Sequence, residues 1–220
     1  MLSYFIMPRF GQNFESYFDY LDRKLSTVSI LELGKKIIRI FEIIHRAGYI
    51  YNDLKLDNIL FGIQDKLPLK YCNWNCFESC YINLVDFGFA TRYTDPETGQ
   101  HINKEEVEVF RGNMIFASLN QLDFKTTSRR DDLLSLCYFL LYLFNQGTLP
   151  GININSKLNA TDTFLEARKA KYGYKVDDFC SGRAKILEEF FKVIFGLRFK
   201  DTPDYEQLYG ILSGLVAKEK

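Results

Sequence analysis

The run YNDLKLDNIL, residues 51–60, decides how this chain is read. It places Asp53, Lys55 and Asn58 on one short loop, so that a carboxylate, an ammonium and an amide lie within a few residues of each other. A second run, LVDFG at residues 84–88, adds Asp86, and Gly88 lets the chain turn sharply after it without a Cβ clash. Each run adjoins an apolar, strand-like stretch, Ile59 to Phe61 and Ile82 to Val85.

These groups suit phosphoryl transfer, which needs positioning and charge neutralisation more than covalent help from the protein. A carboxylate such as Asp53 orients an attacking hydroxyl and accepts its proton. The ammonium of Lys55 steadies the transferring group as a point charge. An amide oxygen from Asn58 and an anionic oxygen from Asp86 are the hard donors that Mg2+ prefers.

Composition narrows the field. With 220 residues, 47% hydrophobic and 25% charged, the chain is an ordinary globular protein with room for one good core. Basic and acidic residues balance at 28 each, with no long block of one sign, so neither nucleic acid nor an anionic membrane is expected as a partner. The apolar start MLSYFIMPRF lacks a signal-peptide pattern, and the longest apolar run, Leu136 to Phe144, is far short of a membrane span. A soluble protein of the cytoplasm or nucleus is expected, its cysteines free thiols. Cys72, Cys76 and Cys80 recur every four residues, but no histidine lies nearby and a fourth ligand is missing, so a zinc site is not expected.

The pattern along the chain predicts a short strand over Tyr4 to Met7, broken at Pro8, and an amphipathic aromatic-rich stretch from Asn13 to Leu21. A helix follows from Val28 to His45 with Ile30, Leu33, Ile37, Phe41 and Ile44 on one face, closed by Gly48. Pro96 and Gly99 mark a turn in the polar stretch after Gly88. Ser128 is placed to cap the next helix, with Asp131 and Asp132 in its first turn. That helix, running to about Asn145, is apolar almost all round and belongs in a core. Further helices are expected near Thr163 to Tyr172, Arg183 to Phe195 and Tyr205 to Val216.

The pattern closely resembles the casein kinase 1 group of serine/threonine protein kinases, including its vaccinia-related branch. SRRDDLLSLCYFLLYLFNQGTLP (residues 128–150) is similar to that group's central helix and the turn after it. LRFKDTPDYEQL (residues 197–208) resembles the approach to its last helix. FRGNMIFAS (residues 110–118) stands where most kinases carry A-P-E and this group does not, and FIMPRFG (residues 5–11) is similar to the hinge of the vaccinia-related branch. The resemblance implies the C-terminal lobe of a protein-kinase-like fold over residues 1–220, mainly α with a few short β-strands, with the β-rich N-terminal lobe absent. It implies ATP and Mg2+ as cofactors and protein serine or threonine hydroxyls as substrate. By the same resemblance Asp53 is the catalytic base, Lys55 a phosphate contact, and Asn58 and Asp86 the metal ligands. Pro8 and Phe10 would meet the adenine edge, Leu60 and Val85 would lie beneath the ring, Met7 would be the gatekeeper, and Asp132 would hold the catalytic loop from below.

The departures from the family pattern carry their own expectations. No glycine-rich loop, strand lysine or helix glutamate is seen, so this chain alone is expected to be incompetent, and the adenine face would be an exposed apolar patch. Tyr51-Asn52 replaces the usual His-Arg, which argues against control by activation-loop phosphorylation. The group's anion-holding positions are Asn52, Thr91, Glu108 and Ile115 here, with Arg111 the only nearby substitute, and little preference for phosphate-primed substrates is expected. Residues 64–80 form an insertion between the strands that flank the two motifs; its Trp74 and Phe77 are read as loop packing ahead of a docking surface. The alternative to an enzyme is a catalytically dead, kinase-like module binding a protein partner through the exposed hinge face. A metal-dependent phosphatase or nuclease fits poorly, for want of carboxylate and histidine ligands.

Overall fold

A computed structural model describes residues 6–62, 80–152 and 159–220. Helices dominate: α1 (Phe14–Tyr20), α2 (Thr27–Arg46), α3 (Leu119–Leu122), α4 (Arg129–Phe144), α5 (Ala160–Tyr172), α6 (Val176–Phe179), α7 (Glu188–Phe195) and α8 (Tyr205–Glu219). Among the described residues four short strands interrupt them, β1 (Tyr49–Ile50), β2 (Ile59–Phe61), β3 (Ile82–Leu84) and β4 (Thr91–Arg92). Among the described residues no helix is long and apolar enough to cross a membrane.

The apolar spacing of α2 explains its place. Ile30, Leu33, Ile37, Phe41 and Ile44 are all buried, and Ser26 caps the start by accepting the Ser29 N–H at 3.1 Å. Gly34 lets the neighbouring helices close in: a Cβ there would lie 3.0 Å from Leu212 of α8 and 3.2 Å from Leu140 of α4. α4 is enclosed from Leu133 to Phe144, apart from a half-buried Leu134, and supplies the centre of the core. Each such leucine or phenylalanine taken from water contributes about 1.5–3 kcal/mol. Phe14 and Phe18 of α1 join this centre through ring contacts with Phe61, Phe139 and Tyr142.

The strands form two antiparallel pairs, β1 with β4 and β2 with β3. Tyr49 faces Arg92 and Ile50 faces Thr91; Ile59 faces Leu84 and Phe61 faces Ile82. One pair therefore joins the start of the Asp53 loop to the chain after Asp86, and the other joins its end to the chain before Asp86.

Two expected elements differ. Ile6 and Met7 belong to no strand, and Tyr4 and Phe5 lie outside the described residues. The helix expected over Arg183 to Phe195 divides into a 3-10 turn, Gly182–Leu187, and α7; Ala184 and Leu187 are drawn into the core by the tighter winding. The expected insertion and its cysteines and aromatics lie outside the described residues, except for Cys80, which is buried.

Beyond β4, Thr94 and His101 bridge across the turn that Pro96 and Gly99 announced. His101 sits between the rings of Tyr93 and Phe199, with Nδ1 at 2.8 Å from the Ile102 carbonyl. Burial pushes its pKa below the ordinary imidazole value; the Ile102 carbonyl opposes this, and Arg129 and Lys200 add to it. Protonation is thus easier in the unfolded chain. The stability tied to neutral His101 is present above the unfolded value and is lost as pH falls through the folded one. Urea midpoints between pH 7 and pH 5 are expected to fall less for His101→Gln than for the unmodified protein.

Candidate functional site

Two buried anchors fix the loop from Tyr51 to Asn58. Asp132, in the first turn of α4, accepts the Tyr51 N–H at 2.7 Å on Oδ2 and the Asn52 N–H at 2.8 Å on Oδ1. His45 of α2 meets the same Oδ2 at 2.8 Å, and its other ring nitrogen meets the Tyr205 hydroxyl of α8 at 2.6 Å. Three helices thereby hold one carboxylate, and the carboxylate holds the loop. This is the geometry expected of Asp132.

Asp53 follows directly. It is 1% exposed, and its two carboxylate oxygens are not equivalent. Oδ2 accepts from Lys55 Nζ at 2.8 Å and Asn58 Nδ2 at 2.9 Å. Oδ1 is buried and has no partner. Among the protein's own groups Oδ1 is left as the unused acceptor of this carboxylate.

Asn58 also gives its Nδ2 to the Asp53 carbonyl and the Tyr51 hydroxyl, both at 3.0 Å. None of these bonds uses its amide oxygen. Val85 N donates to the Asn58 carbonyl at 3.0 Å, bringing the residue before Asp86 against the loop. Asp86 is exposed, stands at φ 58°, and accepts the Gly88 N–H at 3.1 Å. Asn58 and Asp86 are thus joined through one backbone bond, with Asn58 buried and Asp86 exposed. Among the described residues no three His, Cys, Asp or Glu side chains gather into a metal cluster. A donor set this small suits Mg2+, which keeps several waters and takes oxygens from a bound phosphate.

The expected adenine-side residues lie on an open surface. Met7 and Pro8 are exposed, and Phe10, Leu60 and Val85 are half-buried. Gly11 and Gln12 run beside β2, with Gly11 N donating to Phe61 O at 3.0 Å and Phe61 N to Gln12 O at 3.1 Å. That pairing fixes the expected hinge to the strand carrying Leu60.

Sequence reasoning missed three contributors. Burial drives the pKa of the Tyr51 phenol far above the ordinary value; the Asn58 hydrogen bond opposes this, and the carboxylates of Asp53, Asp86 and Asp132 add to it, so the hydroxyl stays a donor. It donates a hydrogen bond to the Val85 carbonyl. Asn52, at φ 70°, reaches from its Nδ2 to Phe89 O and Thr91 Oγ1, each at 2.9 Å, and accepts from Thr127 Oγ1 at 2.8 Å. Gln121 donates to the carbonyls of Asn52 and Arg111, both at 3.0 Å. The spacing Ser118-x-x-Gln121, a capping box that starts α3, was a usable sequence sign for this last residue. Gly112 completes the joint: at φ 122°, it lies where a Cβ would come within 2.3 Å of the Asn52 carbonyl.

One expectation is corrected. Arg111 is not the only cation near Asn52 and Thr91, because Arg92 and Lys125 line the same cavity of about 260 Å³. The four aligned positions are still without a cation, whereas the cavity lining carries Arg92, Arg111 and Lys125.

No known protein-family model matches this chain.

Proposed function

We propose that this chain is the larger lobe of a serine/threonine protein kinase of the casein kinase 1 group, serving transfer of the ATP γ-phosphoryl group to protein serine and threonine hydroxyls. The observation that carries the reading is the asymmetry of Asp53, with Oδ2 held by Lys55 and Asn58 and Oδ1 buried and unpartnered. A substrate hydroxyl presented to Oδ1 would be oriented by it and would pass its proton to it as the oxygen bonds to the γ-phosphorus and the bond from that phosphorus to the departing ADP breaks. Lys55, hydrogen-bonded to the Asp53 carboxylate, would steady the transferring group as a point charge. Leu60 and Val85 offer an apolar floor for adenine beside Met7, Pro8 and Phe10. Asn58 and Asp86 would hold Mg2+, which when bound neutralises charge on the phosphate oxygens.

Asn52 bears on control. A neutral amide joins the loop to Phe89, Thr91 and Thr127, so this segment is tied down without a phosphate. The second reading, a binding module without catalysis, draws on Ile6 and Met7, which are 89% and 45% exposed on the expected hinge face.

Two measurements test the proposal. Mn2+ binding in the presence of ATP, followed by electron paramagnetic resonance, is expected for the unmodified chain and is expected to be lost in Asp86→Asn. Equal binding by both would overturn the kinase reading. Transfer of labelled phosphate by the 220-residue chain alone is expected not to exceed that of Asp53→Asn. Transfer above that control would show the chain to be competent by itself.

A further inference from the structure

We propose that the Tyr51 hydroxyl is a positioning residue that couples the two metal-holding side chains, Asn58 and Asp86. The inference rests on the reading of those two residues given above and names a device for setting their separation. Tyr51 is fully buried, and its backbone N–H is fixed to Asp132 at 2.7 Å. Its ring packs at an angle against Phe87, with 5.2 Å between centroids.

From that place the hydroxyl makes two bonds of opposite sense. It accepts from Asn58 Nδ2 at 3.0 Å and donates to the Val85 carbonyl. A chain of donors results, from amide to phenol to carbonyl, in which each bond polarises the next. Val85 is then held at both backbone polar groups, its N–H by the Asn58 carbonyl and its carbonyl by Tyr51. Asp86 comes immediately after it, at φ 58°, a left-handed conformation that aspartate tolerates when its side chain bonds locally, as here to the Gly88 N–H. The same hydroxyl steadies the Asn58 amide with its nitrogen turned inward, leaving the oxygen available for a cation. Phenylalanine at position 51 would keep the packing and remove both bonds.

The experiment is the Mn2+ titration with ATP applied to Tyr51→Phe, with thermal melts of the same samples. Tyr142→Phe is the control, since it also removes a buried tyrosine's bond, the one from Arg23 at 2.9 Å, at a point remote from the loop. Tyr51→Phe is expected to weaken Mn2+ binding about tenfold, the lower end of what loss of a supporting bond costs a metal site. Tyr142→Phe is expected to bind as the unmodified protein does, whatever its melting temperature. If Tyr51→Phe binds Mn2+ normally while Asp86→Asn does not, the inference is wrong and the metal pair stands. Equal binding by the unmodified protein and Asp86→Asn removes the metal pair, and the inference with it. A variant that does not fold leaves a measurement on the unmodified protein: its Tyr51 hydroxyl proton is expected to exchange slowly by nuclear magnetic resonance. Fast exchange at that proton would also overturn the inference.

Discussion

Asp132→Ala is expected to destabilise the fold by about 3–5 kcal/mol, the range for stripping one partner from a buried charged network. The side chain is 1% exposed and accepts three hydrogen bonds, from the backbones of Tyr51 and Asn52 and from His45 Nε2. Alanine would leave these donors buried and unbonded. Asp132→Asn, which keeps one acceptor oxygen, should cost less. The damage should be local in one respect. Asn52 stands at φ 70° because its N–H is fixed there, so release of that bond frees the segment carrying Asp53. Urea denaturation gives the energy, and hydrogen exchange at the Tyr51 and Asn52 amides reports the loop. Pairing Asp132→Ala with His45→Ala should fall short of additivity by about 0.5–3 kcal/mol, because both remove the same bond. A loss under about 1 kcal/mol for Asp132→Ala, within the effect of an ordinary substitution, would contradict this account.

What could be read from the sequence here was periodic or chemically local. The stripe from Ile30 to Ile44 gave α2 to within a residue or two, because one apolar face at helical spacing has a single way to be buried. Ser128 and Asp131 likewise announced the start of α4, where Ser128 N now donates to Asp131 Oδ2 at 2.8 Å. Asp53, Lys55 and Asn58 are brought together on one loop, as their spacing suggested. The rest depended on pairing at a distance. β4 is two residues long and exists because β1 lies beside it, which no local pattern records. The sequence shows Tyr51 only as half of a pair that replaces His-Arg, because the partners of its hydroxyl, Asn58 and Val85, are set by the fold. The cations Arg92 and Lys125 lie 33 positions apart and share a cavity with Arg111 only through the fold. Lys171 is the sharpest case. A lysine in a polar-looking helix reads as solvent-facing, yet it is 3% exposed.

That lysine carries the second large expectation. Lys171 Nζ lies 2.7 Å from the Ile115 carbonyl, 2.6 Å from that of Ala117 and 3.4 Å from that of Met114, and stands 4.5 Å from the centroid of the Tyr138 ring. The stretch it holds runs from Gly112, wedged against the Asn52 carbonyl, to Ser118, the cap of α3. Lys171→Ala would open a cavity and strand these carbonyls, and is expected to cost about 3–5 kcal/mol. Lys171→Met keeps the stem's volume and should cost less, because no cavity opens. pH separates the terms. Burial pushes the Lys171 pKa well below the ordinary lysine value, and two short bonds are as many as a neutral amine can donate. With the folded value depressed, the unfolded chain binds more protons in the window between the two values, so this contribution grows as pH rises towards the unfolded value near ~10.4. The difference in urea midpoint between the unmodified protein and Lys171→Met is therefore expected to widen from pH 7 to pH 9.5. A gap that stays constant over that range would mean Lys171 remains a cation in the folded chain, held charged by the carbonyls and the Tyr138 ring. Either result fixes how the segment beside Asn52 is anchored, since Ile115 and Ala117 have their carbonyls turned to this one side chain.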